Sequence, residues 1–202
     1  MPHVEISKFV FDCEVCHTRC DGISKGVYNF EKDSSFSELY EKLIIDRINH
    51  SEKYNATKTI DAGYPDIVVH DLNGKIHNYL EVKVQQRTFM KVQLTLPSSS
   101  LMPSETVALN LSDLKRYFNL FHETNIPTSI VWVLLNRPCI VGNNKHLFFY
   151  QKVEILQQLF AQYNDLRRFR RKSGEGDIVG GIHKGVTVNY HFSLTELVPW
   201  NF

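Results

Sequence analysis

The chain has 202 residues, of which 43% are hydrophobic and 22% are charged, and its formal net charge is +1. This composition fits one globular domain with a full core, and it excludes a nucleic-acid binder that relies on high overall positive charge. No apolar run approaches the roughly 20 residues of a membrane-spanning helix. The first residues, MPHVEISKFVFDCEV, carry acids and lack the layout of a signal peptide. We therefore expect a cytoplasmic protein with no membrane partner.

Three of the four cysteines, Cys13, Cys16 and Cys20, lie close together near the start of the chain. Cys13 and Cys16 have the C-x₂-C spacing of a zinc knuckle. A tetrahedral site needs four ligands, and here the second pair would be irregular, formed by Cys20 with His17 or His3. Two interpretations stay open. Residues 13–20 either hold Zn²⁺ and brace a DNA-contacting or dimerising element, or they carry reduced thiols.

A first helix is predicted from Ser35 to about Asn49. Ser35 and Glu38 form a capping-box pattern at its start. The apolar residues recur at helical spacing and define one face: Phe36, Leu39, Tyr40, Leu43, Ile44 and Ile48. Glu38 points away from that face, whereas Glu41 lies on its border and can reach inward.

Residues 64–84 predict a β-hairpin with a two-residue type I′ turn at Asn73-Gly74. This register places Asp66 opposite Glu81, with Lys83 on the same face. Opposed carboxylates repel each other, so the pair is best explained by a cation between them, and Mg²⁺ prefers such oxygen ligands. The alternative is an amphipathic hairpin with its polar side in water. The opposite face is the predicted core face: Ile67, Val69, Ile76, Leu80, Val82 and Val84.

Pro65-Asp66 followed by Glu81-Val82-Lys83 resembles the motif of the PD-(D/E)XK nuclease superfamily, whose members have a restriction-endonuclease-like fold. The resemblance implies an α/β protein with a mixed sheet. Its core, over residues 35–136, would contain a helix, a three-stranded meander, a second helix and a further strand, with flanking helices.

The same resemblance implies how the site residues act. Asp66 and Glu81 would bind Mg²⁺, or Mn²⁺ in its place, and Glu41 would join them from the first helix as a further catalytic ligand. Lys83 would stabilise charge in the transition state. Gln85, on the same face, would orient the water or contact a phosphate of the DNA; the alternative is a surface glutamine.

The remaining core elements follow the hairpin. Residues 89–96 predict a third strand, although their alternation is loose, and residues 97–103 predict a loop. Asn110 can cap a helix that runs to about Glu123. The nearly continuous apolar run TSIVWVLL, residues 128–135, predicts a buried strand.

The most basic segment lies at the end of a helix predicted to start near Gln151. It contains Arg167, Arg168, Arg170, Arg171 and Lys172, followed by the glycine-rich stretch SGEGDIVGG. Five cations in six positions exceed what a helix C-terminus needs, so we predict contacts with DNA phosphates. The alternative is a solvated helix end. Residues 185–193 then alternate like a strand, and Ser193 and Glu196 start a short helix or turn.

These observations predict a single-domain, Mg²⁺-dependent endonuclease that cuts double-stranded DNA, most similar to a type II restriction enzyme acting as a homodimer. Residues 1–34 and 137–202 would then provide recognition and dimer contacts. Two alternatives stay open: a repair, junction or RNA nuclease of the same superfamily, and a non-catalytic nucleic-acid-binding module.

Overall fold

The computed structural model describes residues 30–61, 63–85, 88–135, 137–141, 146–170, 178–179, 182–183 and 188–200. The α-helices of this part of the chain are α1 (Phe30–His50), α2 (Val92–Thr95), α3 (Leu111–Thr124), α4 (Pro138–Val141) and α5 (Val153–Tyr163). The first strands are β1 (Asn55–Lys58), β2 (Ile67–His70), β3 (Ile76–Gln85), β4 (Thr106–Asn110), β5 (Thr128–Leu134) and β6 (Leu147–Lys152). The others are β7 (Arg168–Arg170), β8 (Ile178–Val179), β9 (Ile182–His183), β10 (Val188–Ser193) and β11 (Val198–Pro199).

A six-stranded sheet in the order β1-β2-β3-β5-β6-β11 forms the centre of the fold. Strands β3 and β5 are parallel, and the other neighbouring pairs are antiparallel. All seven residues of β5 are buried, as expected of a central strand covered on both faces. The mixed sheet and its helices confirm the predicted α/β class.

Each face of this sheet packs against its own hydrophobic core. On one face, side chains of β2 and β3 pack with Tyr40 and Ile44 of α1. The predicted core face of the hairpin is confirmed there for Ile67, Val69, Leu80 and Val82, and Val84 packs at its edge. On the other face, β5 packs with α3, α5 and a second sheet in the order β4-β10-β7. Of the helices in the described residues, none is long and apolar enough to cross a membrane.

The hairpin has the predicted register but a different turn. Ile67 pairs with Leu80 and Val69 with Asn78, as predicted. Of the two residues expected at positive φ, only Gly74 has it (79°), and its N–H donates to Asp71 O at 3.0 Å. The connection is therefore one residue longer than a type I′ turn. A bulge between Val69 and His70 compensates for that residue and restores the predicted pairing.

The three-stranded meander is present, but its third strand is β1, which precedes the hairpin. The strand predicted at residues 89–96 is wrong, because Val92–Thr95 form a single helical turn and Pro97–Ser99 form a 3₁₀ turn. Val92 and Leu96 are four residues apart, a helical spacing, and they pack together with Leu101 in a small separate core.

Three further predictions concern helix boundaries. Helix α3 confirms the helix after Asn110, although the Asn110 side chain makes no capping hydrogen bond. Helix α1 begins at Phe30, so Ser35 lies inside the helix and the predicted capping box does not start it. Helix α5 ends at Tyr163, and a 3₁₀ turn, Asn164–Arg167, leads into β7. Of the basic segment, Arg168 and Arg170 thus lie on an edge strand and Arg167 lies in the 3₁₀ turn, and none of these three is at a helix end.

Candidate active site

Asp66 and Glu81 lie side by side at the start of β2 and within β3. The pairing of Ile67 with Leu80 places them opposite each other. The backbone N–H of Val82 donates to Asp66 Oδ2 at 2.8 Å, which ties the loop before β2 to the neighbouring strand. Glu81 is buried, and Asp66 is partly exposed. The predicted pair of acids is therefore assembled by the sheet itself.

Burial raises the pKa of both carboxyl groups. For Asp66, the hydrogen bond from Val82 and the charge of Lys83 oppose this effect, while the charge of Glu41 adds to it. For Glu81, the charge and hydrogen bond of Lys83 oppose it, while the charge of Asp66 adds to it. Two desolvated carboxylates that repel each other leave oxygen atoms suited to a cation.

Lys83 lies on the same face of β3 as Glu81. Its Nζ is 2.5 Å from Glu81 Oε1 and 3.8 Å from Asp113 Oδ2. Burial alone would lower the pKa of Lys83, but the charge and hydrogen bond of Glu81 and the charges of Asp113 and Asp66 outweigh it, so the pKa is raised. Lys83 therefore remains a cation at neutral pH and is available as an electrostatic and hydrogen-bond donor, not as a base.

Helix α3 adds three residues that the sequence analysis missed: Asp113, Arg116 and Tyr117. Arg116 Nη2 is 3.1 Å from Asp113 Oδ1 and donates to Tyr117 Oη at 3.0 Å. The Tyr117 hydroxyl is hydrogen-bonded to Glu81, and burial together with the charge of Glu81 raises its pKa. Through this network, helix α3 contacts both Glu81 and Lys83 of β3.

One signal in the sequence could have indicated these residues. Asp113 and Tyr117 are polar groups at helical i,i+4 spacing, next to the apolar stripe of a helix that was itself predicted. The sequence did not show that this helix packs over the Glu81 face of the sheet.

Glu41 is buried and is held by a cation from β1. Lys58 Nζ lies 3.0 Å from Glu41 Oε2 and 3.8 Å from Glu38 Oε1, and the Glu38 side chain is 65% exposed. The preference for Glu41 over Glu38 thus agrees with the direction in which each side chain points. Within the described residues, however, no three His, Cys, Asp or Glu side chains are close enough to hold a metal ion together. Glu41 consequently does not complete a ready-made site of three carboxylates.

The residues present nevertheless fit a single divalent cation. Mg²⁺ is commonly bound in proteins by one or two carboxylates, and it keeps waters and substrate phosphates as its other ligands. Asp66 and Glu81 provide such a pair of carboxylates. These two would be the protein ligands, and Glu41 would act from farther away through its charge.

Gln85 has internal partners. Its Nε2 donates to Ala108 O at 2.8 Å, and its Oε1 accepts from Arg137 Nη2 at 3.4 Å. Arg137 in turn donates to Ser104 O and Thr106 O at 3.0 and 2.9 Å. The amide of Gln85 joins β3 to β4, so the predicted contact with water or phosphate is replaced by a bracing role.

The basic segment separates into residues of different kinds. Arg167 is buried, forms hydrogen bonds to both carboxylate oxygens of Glu196 at 2.7 and 2.6 Å, and stacks over the Tyr163 ring. Arg167 therefore forms a structural ion pair with Glu196, and the predicted contact of Arg167 with a DNA phosphate is wrong. Arg168 and Arg170 are exposed on β7. Arg171, Lys172, Cys13, Cys16 and Cys20 lie outside the described residues.

Comparison with known proteins gave a similarity of structure but none of sequence. No protein-family model and no curated protein matches the sequence. Among solved structures, the Holliday junction resolvase Hjc of the archaeal hyperthermophile Archaeoglobus fulgidus is similar over 80% of this chain and 86% of that chain. The TM-score is 0.42 and the sequence identity 10%. A similarity of this size carries no argument about what this chain does.

Proposed function

We propose that this chain is a metal-dependent nuclease of the PD-(D/E)XK type that hydrolyses phosphodiester bonds in DNA. The observation that carries the proposal is the joint position of Asp66, Glu81 and Lys83: two desolvated, mutually repelling carboxylates with a protonated lysine 2.5 Å from one of them. A structural salt bridge would need only one acid for one lysine. Here a second acid, Asp66, is also present, and the backbone of β3 holds it through the Val82 N–H.

The division of labour among the side chains follows from their charges. Asp66 and Glu81 would hold the cation, which would supply a bound water of lowered pKa and offset charge on the phosphate. Lys83 donates a hydrogen bond to the attacking water or to a phosphate oxygen, where charge develops in the transition state. Tyr117 and Asp113 position Glu81 and Lys83, respectively. Arg168 and Arg170 are proposed to contact phosphates farther along the DNA.

The decisive experiment is incubation of supercoiled plasmid with the protein and Mg²⁺, comparing wild type with Asp66→Asn and Glu81→Gln. We expect cleavage by the wild type, and we expect each variant to lose cleavage while it still binds DNA in Ca²⁺. Lys75→Ala is the matched control, because Lys75 is exposed at the hairpin turn, away from the acids. If either acid variant cleaved at the wild-type rate, the assignment of Asp66 and Glu81 as the catalytic acids would be wrong.

The products also separate the narrower functions. Discrete bands would support the site-specific, type II restriction activity predicted from the sequence. Nicking confined to branched or damaged substrates would support a repair or junction nuclease, and cleavage of RNA alone would support a ribonuclease. Binding without any cleavage would indicate a non-catalytic module. Sedimentation of the protein with DNA tests the predicted homodimer.

A further inference from the structure

A cleft of about 570 Å³ opens between the loop before β2 and the exposed face of α3. Gly63 and Tyr64 form one wall, and Lys115, Arg116 and Asn119 contribute to the other. Tyr64 precedes Asp66 by only two residues. The volume falls within the range of roughly 300–1,000 Å³ that is typical of small-ligand sites. None of the functions assigned above uses this cleft.

The cleft is connected to the site through Arg116 and Asp113. Gly63 has a φ of +91°, and a Cβ added there would lie 4.0 Å from Arg116 Cδ, so the loop passes near the arginine side chain. Arg116 pairs with Asp113, which lies 3.8 Å from Lys83 Nζ. A ligand in the cleft would therefore sit next to the groups proposed to act on the scissile phosphate.

The lining has the chemistry of a nucleotide site. Lys115 is exposed, and the Arg116 side chain is 44% exposed, so two cations face solvent from one side of α3. Such cations bind phosphate. Tyr64 is 37% exposed, and its ring packs against the Tyr79 ring at a centroid distance of 5.5 Å with a tilt of 59°, which restrains it. Supported aromatic rings are the common platform for stacking of unpaired bases. Glu123, an acid, also lines this cleft.

We propose that this cleft binds a nucleotide flanking the scissile phosphate, with its base unpaired and stacked on Tyr64 and its phosphate near Lys115 and Arg116. A base inside a continuous duplex is stacked on both sides by its neighbours and offers no face to Tyr64. The substrate class is consequently DNA with unpaired nucleotides next to the cleavage point, such as a flap, a branch or a single-stranded gap. This inference rests on the proposed nuclease function and makes it more specific.

The test is equilibrium binding of fluorescein-labelled DNA in Ca²⁺, which prevents cutting. The probes are a continuous duplex and the same duplex carrying a single-stranded flap. The variants are Tyr64→Phe, Tyr64→Leu, Lys115→Gln and, as control, Lys75→Gln, each checked for its thermal unfolding.

Wild type should bind the flap-carrying duplex more tightly than the continuous duplex. Tyr64→Leu should lose about tenfold in flap affinity, as expected for one stacked base, and Tyr64→Phe should retain it. Lys115→Gln should lower the slope of log affinity against log salt by about one, and Lys75→Gln should not.

The nucleotide cleft and the nuclease function on which it rests are overturned by different results. Equal binding of flap and duplex by the wild type, or flap affinity unchanged in Tyr64→Leu, would overturn the nucleotide cleft and leave the nuclease proposal standing. Full cleavage by Asp66→Asn would overturn the nuclease proposal, whatever the binding experiment shows. Loss of flap binding in Tyr64→Phe as well as Tyr64→Leu would also count against stacking, because the phenyl ring keeps its face.

Discussion

The carboxylate of Asp66 accepts a hydrogen bond from the backbone N–H of Val82 at 2.8 Å. Val82 stands between Glu81 and Lys83, so this single contact connects the loop before β2 to the part of β3 that carries both side chains. The pairing of β2 with β3 supplies the alignment, and the hydrogen bond fixes the Asp66 carboxylate against it. The acids are thus preorganised in the protein without a ligand to assemble them.

Lys83 is predicted to act on the transition state, not on binding. Because its raised pKa keeps it charged, Lys83→Ala should lower the single-turnover cleavage rate on the order of 10²–10³-fold, as loss of one electrostatic donor commonly does. DNA affinity in Ca²⁺ should remain near that of wild type. A variant that lost affinity and kept its rate would instead make Lys83 a binding residue.

Tyr117 is predicted to position Glu81. Its hydroxyl hydrogen bond lowers the pKa of the Glu81 carboxyl, so Tyr117→Phe should raise that pKa further. The acidic limb of the pH–rate profile should then move to higher pH, and the change should be smallest at alkaline pH. A uniform loss of rate at every pH would indicate a structural role only. Tyr190→Phe is a matched control, since Tyr190 is a buried tyrosine of the β10 strand.

Asp66→Asn is predicted to stabilise the protein at neutral pH when divalent ions are absent. The pKa of Asp66 is raised in the folded state, so the folded protein holds this proton more tightly and loses stability as the pH rises above the ordinary value of 3.8. The amide avoids that cost and can still accept from Val82 N–H. The gain in Tm should be present at pH 7–8 and should vanish below about pH 4. Added Mg²⁺ should raise the Tm of wild type and not of the variant.

Glu41 and Glu38 are predicted to differ in effect. Glu41 is buried and its charge acts on Asp66, so Glu41→Gln should reduce cleavage and raise the Mg²⁺ concentration needed for half-maximal cleavage. Glu38 is exposed and 3.8 Å from Lys58, and its loss should change stability by less than about 1 kcal/mol and leave cleavage unchanged. If Glu38→Gln proved the more damaging of the two, the supporting acid would have to be reassigned.

Arg167 should fail in a different way from Arg168 and Arg170. Arg167→Gln leaves the Glu196 carboxylate largely buried without its partner and should cost about 3 kcal/mol or more in the free energy of unfolding. Arg168→Gln and Arg170→Gln should leave stability nearly unchanged and should each lower the slope of log affinity against log salt by about one. Urea unfolding and a salt titration with labelled DNA measure the two effects separately. Unchanged slopes in both exposed variants would remove β7 from the DNA-binding surface.

Much of the site could be predicted from local pattern. The two-residue periodicity of a strand decides which side chains share a face, so the hairpin spacing alone brought Asp66, Glu81 and Lys83 together. That prediction survived an incorrect turn, because the bulge at Val69 and His70 compensated for the longer connection. The buried strand β5 was equally predictable, since a continuous apolar run has few other solutions.

The rest depended on contacts between distant segments. Arg168 forms an exposed ion pair with the nearby Asp165, whereas Arg167 is buried because the distant Glu196 pairs with it. Gln85 is drawn inward by Ala108 and Arg137 in the same way. The sequence by itself determined the central acids and their lysine, because strand periodicity is a property of the backbone. Only the tertiary structure decided that α3 covers them with Asp113 and Tyr117, because the packing of a helix over a sheet depends on long-range burial and not on neighbouring residues.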